Sequence, residues 1–256
     1  MYDHGNNLDA DILPPERPGR DEPGAGPVTD RALDLAILDV NETLFSLEPL
    51  ARRMTEVGLD GRLELWFARV LRDGIAAAAA GRLVTFPDLA RHHLLALFDE
   101  SGREAPDAAV GHVLGGFDDV RAHPDVEPGL RRLQRAGVTI VPLTNGSADL
   151  TRAFLARCGL EDLVDDVHDV TAVGSWKPAP EPYRFVLARH DVPPARAALI
   201  AVHPWDVFGA QSAGLVGAWL DRNADRYPAP FGAPDVQAGD LPLLVARLLA
   251  DDGPGT

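Results

Sequence analysis

The sequence predicts an α/β fold, in which a parallel β-sheet forms the core and a group of helices is inserted after the first strand. Two observations lead to this prediction. Short apolar runs alternate with helical patterns along most of the chain, which is typical of βαβ units. Between the first two apolar runs, residues 46–125 are almost entirely helical in pattern. A simple crossover needs only one helix, so this interval is long enough for a small helical domain.

Four apolar runs are continuous enough to be strands that are covered on both faces. A fifth run, at residues 165–170, is a weaker candidate. The core is therefore expected in residues 33–45 and 126–250. The strand candidates, in chain order, are LDLAILDV (33–40), VTIVPLTN (138–145), DDVHDV (165–170), AALIAVH (197–203) and LVGAWLD (215–221).

The helical patterns differ in how they begin and end. In the core, SADLTRAFLARCG has Ser147 as a candidate N-cap and Gly159 just past its end. PAPEPYRFVLARHDV opens with prolines, which suit a first helical turn. The insertion contains four further patterns, PLARRMTEVGL, RLELWFARVLRDGIAAAAAGRL, FPDLARHHLLALFDESG and DAAVGHVLGGFDDV.

Residues 1–32 and 251–256 are predicted to be disordered tails, because they are rich in Pro, Gly and Asp. The first tail lacks a basic start followed by an apolar stretch, so it is not expected to be a signal peptide. No stretch approaches the roughly 20 apolar residues that a membrane span needs.

The composition limits the partners that the chain can have. With 24 Lys and Arg against 39 Asp and Glu, the formal charge is -15. This argues against nucleic acid and anionic membranes, which need a basic protein face. A small-molecule substrate is expected, and a homodimer is left open. The single cysteine, Cys158, excludes an internal disulfide and is consistent with a reducing cytoplasm, so a cytoplasmic location is predicted.

Reactive side chains stand where the predicted strands end. The first strand ends at Asp39, the second ends at Thr144, and the strand AALIAVH leads to His203 and Asp206. The loop GSWKPAPEPY holds Lys177, the only lysine in a chain whose basic residues are nearly all arginine. In a parallel sheet, ligands bind at the carboxyl ends of the strands. These groups are therefore expected to converge on one site.

In type and order, these motifs resemble those of the haloacid dehalogenase superfamily. Each motif alone is weakly specific, but their order and spacing over about residues 34–222 are highly specific. The resemblance implies a Rossmann-like core and identifies the insertion at 46–125 with the helical cap domain of that superfamily. The matching motifs are Asp-x-x-x-Thr at 39–43, Thr-Asn-Gly-Ser at 144–147, Lys-Pro at 177–178 and the late Asp206.

The resemblance implies three catalytic roles at these strand ends. It makes Asp39 the nucleophile, whose carboxylate forms a covalent intermediate. Thr43 would hold that carboxylate or an oxyanion through its hydroxyl, although an ordinary turn-stabilising threonine would look the same. Lys177 would balance the charge of the carboxylates and hold the nucleophile.

Three further residues are candidates for contacts with the substrate. Thr144 would take the place of the hydroxyl residue that binds a substrate carboxylate or phosphate. Asn145 supplies an amide beside a predicted helix N-terminus, or serves only as a turn residue. Tyr183 falls at the spacing of a tyrosine that lines the site of 2-haloacid dehalogenases, but a tyrosine packed on the core would fit equally well.

Asn41 distinguishes two branches of the superfamily. The phosphatases carry a second Asp at this position, which protonates the leaving alkoxide and then activates water. Asn41 can do neither. A departing halide is a weak base that needs no proton, and the 2-haloacid dehalogenases also lack the second Asp. The alternative is that Asn41 fills a loop in a protein that has lost its activity.

The segment AVHPWDVFGAQSAGL, which begins at residue 201, resembles the dehalogenase pattern Ser-Ser-Asn-x-Trp-Asp. Trp205 and Asp206 match the pattern, and Asp206 would help to prepare water for ester hydrolysis. His203 replaces the Asn and Ala201 replaces the first Ser of that pattern. His203 is a capable base near neutral pH, or else a structural residue.

The insertion also departs from the dehalogenases, which carry a substrate-facing Arg directly after a Leu-Trp pair. In LWFARVLRDG that position is Phe67. Arg69 and Arg72 are three residues apart, so they share a helix face and are candidates to replace it. They are equally suited to a solvent-facing helix surface. An apolar Phe67 in the pocket would suit a bulkier or less charged substrate.

These observations favour one function and leave two others open. The favoured function is hydrolytic dehalogenation of a small 2-haloacid through an ester on Asp39, with no metal or other cofactor. The alternative is a phosphatase in which Asp39, the Asn41 carbonyl and Asp206 hold Mg²⁺. A catalytically silent scaffold that binds a metabolite or a partner protein is the third, because of the departures from the dehalogenase pattern.

Overall fold

The computed structural model describes residues 33–104 and 106–250. The predicted tails at 1–32 and 251–256 lie outside the described residues. The residues described belong to one compact unit. None of the helices in this part of the chain is long and apolar enough to cross a membrane.

A sheet of six parallel strands forms the centre of the fold, in the order β3-β2-β1-β4-β5-β6. This is the doubly wound order, and it reverses between β1 and β4. In register, Ile37 of β1 lies between Val141 of β2 and Leu199 of β4. The strands are β1 (Leu35–Leu38), β2 (Thr139–Thr144), β3 (His168–Asp169), β4 (Ala197–Ala201), β5 (Val216–Leu220) and β6 (Val236–Ala238).

The predicted α/β fold is confirmed, including the weaker strand candidate, which is β3. The edge strand β6 was not predicted, because its three residues, VQA, form no apolar run. Five described helices lie in the core: α5 (Val126–Arg135), α6 (Ala148–Arg157), α7 (Pro180–His190), α8 (Pro204–Ser212) and α9 (Leu241–Leu249). As predicted, Ser147 is the N-cap of α6, and its hydroxyl accepts a hydrogen bond from the backbone N–H of Leu150.

The strands are apolar throughout because both faces of the sheet are covered. Ala36 and Leu38 of β1 belong to an apolar cluster that includes residues of α5, α9 and the insertion. Leu35 and Ile37 point to the other face and belong to a second cluster with α7 and α8. Alternate residues of β1 therefore pack in two separate apolar clusters, one on each face of the sheet. For this reason the sequence of β1 does not alternate between apolar and polar residues.

The interval 46–125, called the insertion below, contains four helices and one 3₁₀ turn. Trp66 is fully buried in it, and its indole N–H donates to the carbonyl of Ala90, which ties α2 to α3. The separation of a cap domain from the core stays a prediction. The elements are α1 (Glu48–Glu56), α2 (Leu63–Ala79), α3 (Phe86–Glu100), α4 (Asp107–Leu114) and the 3₁₀ turn Gly115–Asp118.

Trp176 joins a loop of the core to the insertion. Its indole N–H donates to the carbonyl of Val84 at 2.8 Å, and its ring stacks on Phe86 with 6.2 Å between centroids. A Cβ at Gly74 of α2 would lie 2.4 Å from carbons of the Trp176 ring. No side chain fits at that position without displacing the tryptophan. The loop that carries Lys177 is therefore packed directly on α2.

We predict that Gly74→Ala lowers the free energy of unfolding by about 1–3 kcal/mol, because the added methyl group overpacks the Trp176 ring. Helix propensity alone would favour alanine by about 1 kcal/mol, so the sign of the change identifies the steric effect. The matched control is Gly111→Ala in α4, where an added Cβ meets no atom within 4 Å. Denaturant unfolding should show the control as stable as the parent or more so. Equal effects of the two substitutions would contradict the packing described.

Candidate active site

The side chains that the sequence placed at strand ends meet at the reversal point of the sheet. Asp39 directly follows β1, and its backbone N–H donates to the carbonyl of Ile200 in β4. Asp206 lies in the first turn of α8, which begins soon after β4. Lys177 arrives from the loop before α7. The three side chains are in hydrogen-bonding contact below the protein surface.

Lys177 bridges the two carboxylates. Its Nζ donates to Asp39 Oδ1 at 2.8 Å and to Asp206 Oδ2 at 2.6 Å. Lys177 and Asp206 are fully buried, and Asp39 is 5% exposed. Lys177 is also the only lysine in the sequence. Charges buried in this way are stable only when they are paired, so each carboxylate depends on this ammonium group.

The backbone of Lys177 is held by Asn145. The side-chain Oδ1 of Asn145 accepts from the Lys177 backbone N–H at 2.9 Å, and its Nδ2 donates to the Lys177 carbonyl at 3.3 Å. Both polar atoms of the Asn145 side chain are therefore hydrogen-bonded to the backbone of Lys177. Asn145 was predicted to bind substrate, but these contacts make it a positioning residue for Lys177.

Tyr183 lies behind Asp206. Its hydroxyl donates to Asp206 Oδ1 at 2.5 Å, and both side chains are fully buried. Burial, followed by the charge of Asp206, raises the pKa of Tyr183 well above its usual value, so the phenol remains a donor. Burial also raises the pKa of Asp206, while Lys177 opposes that shift. The ring of Tyr183 packs in the core cluster of α7 and α8, as the alternative interpretation expected, while its hydroxyl reaches Asp206 of the site. A contact between Tyr183 and substrate stays a prediction.

The second oxygen of Asp39 accepts two hydrogen bonds. The hydroxyl of Thr43 donates to Oδ2 at 2.7 Å, and Nδ1 of His203 lies 2.9 Å from the same oxygen. Thr43 itself accepts from the backbone N–H of Val202, which directs its proton to Asp39. Burial opposes ionisation of Asp39, but Lys177 and His203 outweigh it and lower the pKa of its carboxyl. Asp39 is therefore an anion at neutral pH.

His203 is held between two carboxylates. Its Nδ1 faces Asp39, and its Nε2 lies 3.0 Å from Glu42 Oε2. Burial lowers its pKa, yet hydrogen bonds and charge from Asp39 and Glu42 outweigh burial and raise the pKa to about 9. The ring is thus protonated near neutral pH. In this state of the site His203 is a cation that supports Asp39, and its role as a base stays a prediction.

Glu42 was missed by sequence reasoning because its position depends on an unusual backbone. Its φ is +61°, a left-handed backbone conformation. In this conformation the Glu42 side chain reaches His203 at the start of α8. Distant residues hold this turn: His123 contacts the Glu42 carbonyl at 3.0 Å, and Arg222 donates to the Thr43 carbonyl at 2.8 Å. No local sequence signal identifies contacts that span 81 and 179 positions.

Two aromatic rings cover His203. Trp205 stacks on it, with 5.3 Å between ring centroids, and Phe67 of α2 approaches to 5.9 Å. Phe67 is buried in the insertion and also contacts Phe86. The prediction that Phe67 faces the site therefore agrees with its placement. Ala201, the other departure from the dehalogenase pattern in this segment, is the last residue of β4 and is fully buried.

The predicted arginines of the insertion do not reach the site. Arg69 pairs with Glu100 of α3 at 2.7 Å, and Arg72 pairs with its neighbour Asp73 at 2.6 Å. Arg69 follows Phe67 by two residues, which is about 200° around the helix. It therefore points away from the face of α2 that carries Phe67. The alternative interpretation, that both arginines belong to the outer surface of the insertion, is correct.

Two cavities flank the turn that follows β1. A cavity of about 480 Å³ is bordered by Glu42 and His203. A second, of about 270 Å³, is called the apolar cavity below and borders Asn41 and Thr144. Its other lining residues are mostly apolar, but they include Arg157 of α6. They are Val40, Phe86, Pro87, Ala90, Leu114, Phe117, Asp118, Gly146, Ser147, Leu150, Thr151, Phe154 and Arg157.

Arg157 places a positive charge at the apolar cavity, and the sequence analysis did not identify it as a site residue. One of its guanidinium nitrogens donates to the carbonyl of Phe117 at 3.3 Å, and the group lies 5.3 Å from the ring centroid of Phe154. It stands at the last position of α6, whereas its cavity partners come from the insertion and from the start of that helix. The sequence shows it only as the basic end of an amphipathic helix.

The residues suggested for Mg²⁺ do not fit that ion as they are arranged. Every carboxylate oxygen of Asp39 and Asp206 already accepts a hydrogen bond, and two of the donors, Lys177 and His203, are cations. Mg²⁺ requires a nearly ideal octahedral shell of oxygen ligands. Binding through Asp39, Asn41 and Asp206 would also place a dication beside the two cations, Lys177 and His203, that already contact these carboxylates.

Comparisons with known proteins agree with this geometry. The sequence model of the haloacid dehalogenase-like hydrolase family matches residues 33–214. A phosphoserine phosphatase from Thermus thermophilus is 30% identical, with 82% of this chain and 96% of that protein covered. (S)-2-haloacid dehalogenase 1 from a Pseudomonas species is 27% identical over 72% of this chain and 82% of that protein.

A solved structure extends the likeness to the fold. The L-2-haloacid dehalogenase from Xanthobacter autotrophicus, with chloropropionic acid covalently bound, superposes with a TM-score of 0.77 at 24% identity. The match covers 86% of this chain and all of that one. The fold, the family match and the spacing of the site residues agree. The chain belongs to the haloacid dehalogenase-like hydrolase family.

Proposed function

We propose that the protein hydrolyses the carbon–halogen bond of a small 2-haloacid. One observation supports this most strongly: Asp39 is held as an anion by two cations, and the residue two positions later, Asn41, cannot supply a proton. A nucleophile without a neighbouring acid suits a leaving group that departs as a stable anion. Halide is such a group, and an alkoxide is not.

In the first step, a carboxylate oxygen of Asp39 attacks the carbon next to the substrate carboxylate. A C–O bond forms, the C–halogen bond breaks, and the halide leaves with the bonding electron pair. The product is an ester between the substrate and Asp39. Lys177 and His203 orient the carboxylate for this attack.

In the second step, water attacks the acyl carbon of the Asp39 ester and releases a 2-hydroxyacid. Esterification removes the charge of Asp39, which is one of the two charges that hold the proton on His203. The pKa of His203 then falls, and its ring becomes able to accept the proton of the attacking water. Asp206, whose two oxygens are engaged by Lys177 and Tyr183, keeps the ammonium in place.

The apolar cavity suits a substrate that has an apolar body and a carboxylate. Phe86, Phe117 and Phe154 supply the apolar wall, and Arg157 supplies a positive charge. Thr144 contributes a hydroxyl close to the start of α6. We assign to Arg157 the carboxylate contact that Arg69 and Arg72 do not make. The substrate is therefore expected to be longer than a two-carbon haloacid.

The insertion supports this chemistry by excluding water. Phe67 packs over His203, and the Trp176 contact fixes the lysine loop to α2. An anionic nucleophile is weakened by hydration, so removing bulk water favours displacement. The proposed reaction uses no metal or other cofactor.

A second candidate function is hydrolysis of a small phosphoester with Mg²⁺. The observation in its favour is the 30% identity to a phosphoserine phosphatase. Asn41 argues against it, and so does the engagement of all four carboxylate oxygens described above.

We predict that the purified chain releases halide from 2-haloacids in EDTA, and that Asp39→Asn lowers the rate by at least about 10⁴-fold, because it removes the nucleophile. Asp34→Asn is the matched control, since Asp34 lies at the opposite end of β1 and pairs with Arg196 on the surface. An ion-selective electrode measures the release. If the chain releases no halide but hydrolyses phosphoesters only with added Mg²⁺, the second candidate replaces the first.

We predict that Arg157→Gln raises KM for 2-haloacids about tenfold with little change in kcat, because a charge-assisted contact to the substrate carboxylate is lost. Arg72→Gln is the matched control and should leave KM unchanged, since Arg72 pairs with Asp73 outside the site. Steady-state kinetics with a series of 2-haloacids of increasing chain length measures both. A larger effect of Arg72→Gln than of Arg157→Gln would contradict the assignment.

A further inference from the structure

A second group of potential ligands lies apart from the proposed active site, where the edge strand β3 meets the end of α7. Asp166 precedes β3, His168 begins it, and His190 is the last residue of α7. One ligand atom from each of the three lies within 4.8 Å of the other two. Nothing in the proposed reaction uses these residues.

Each of the two imidazoles has a buried nitrogen that makes no hydrogen bond. The Nε2 atoms of His168 and His190 are both buried, and neither has a hydrogen-bond partner. His168 Nε2 lies 3.1 Å from Asp166 Oδ2, which is within ion-pair distance. Buried polar atoms normally have a hydrogen-bond partner, so two imidazole nitrogens of one group that make no hydrogen bond need an explanation.

The charges around this place are mixed, since Asp166 and a helix end favour a cation whereas Arg152 and Arg189 oppose one. His190 ends α7, and the C-terminus of a helix carries partial negative charge. The nearby guanidinium of Arg152 is 4.0 Å from Asp166 Oδ1, but its shorter contact, at 2.6 Å, is to the carbonyl of Val167. Asp166 is therefore not fully engaged by the arginine. Phe185 packs on His168 at 5.1 Å and shields one side of the group.

We propose that Asp166, His168 and His190 bind a divalent transition-metal ion with the preferences of Zn²⁺. Two imidazole nitrogens and one carboxylate oxygen form a common Zn²⁺ ligand set, with a fourth position left for water. Imidazole ligands disfavour Mg²⁺, which prefers oxygen.

The bound ion would link β3 to α7. The next residue in β3, Asp169, accepts a hydrogen bond from the backbone N–H of Ala148 at the start of α6. A metal that fixes β3 would thus also support the helix that carries Arg157. Its role is structural, and it takes no part in the displacement at Asp39.

The test uses untagged, full-length protein stripped of metal. We expect one equivalent of Co²⁺ to bind with visible absorption bands, Zn²⁺ to displace it, and Zn²⁺ but not Mg²⁺ to raise Tm. His168→Gln and His190→Gln should each weaken binding about tenfold or more.

The matched control is His112→Gln. His112 also contacts a carboxylate, Glu56 at 2.6 Å, but among the described residues it belongs to no group of three candidate ligands. The control should bind as the parent does. Circular dichroism of each variant checks folding, and Asp166→Asn provides a third variant if a histidine substitution unfolds the chain. The proposal is overturned if no single Co²⁺ binds, or if the variants at 166, 168 and 190 bind as tightly as the control.

Discussion

The site depends on one buried ammonium group held between two buried carboxylates. Isolated charges are so costly to bury that Lys177, Asp39 and Asp206 are stable only together. Lys177 compensates two acids at once, so His203 with its raised pKa supplies a second cation to the same group. The two cations that contact Asp39 hold its carboxyl ionised despite burial, and an ionised carboxyl is what a nucleophile requires.

The fold positions this cluster through backbone contacts from separate elements. β1 and β4 deliver the two carboxylates to one edge of the sheet, while Asn145 after β2 fixes the backbone of the lysine loop. Trp176, one residue before Lys177, packs on Gly74 of the insertion. The same loop thus carries the charge that stabilises the site and the contact that ties the insertion to the core. A change in the packing of α2 is expected to act on the site through this loop.

Much of this arrangement follows from sequence because it depends on local patterns. The buried strands are continuous apolar runs, and the carboxyl ends of parallel strands must lie together, so Asp39, Thr144 and Lys177 could be placed in advance. Glu42 could not, because it reaches His203 only through a positive φ held by distant residues. The prediction that Arg69 and Arg72 face the site failed for a related reason. Helical spacing gives relative faces, but only packing decides which face meets the site.

The most direct test of the central claim is the pH dependence of unfolding of Lys177→Met, which removes the charge and keeps most of the volume. At neutral pH the variant should lose about 3–5 kcal/mol relative to the parent, since two carboxylates are left buried without their cation. The loss should shrink as pH falls, because protonation of the variant removes its uncompensated buried charge. Below the ordinary carboxyl pKa of 3.8 the parent also begins to lose the stability that the lowered pKa of Asp39 provides, which narrows the difference further. A difference that is absent at neutral pH, or that does not change with pH, would contradict the account.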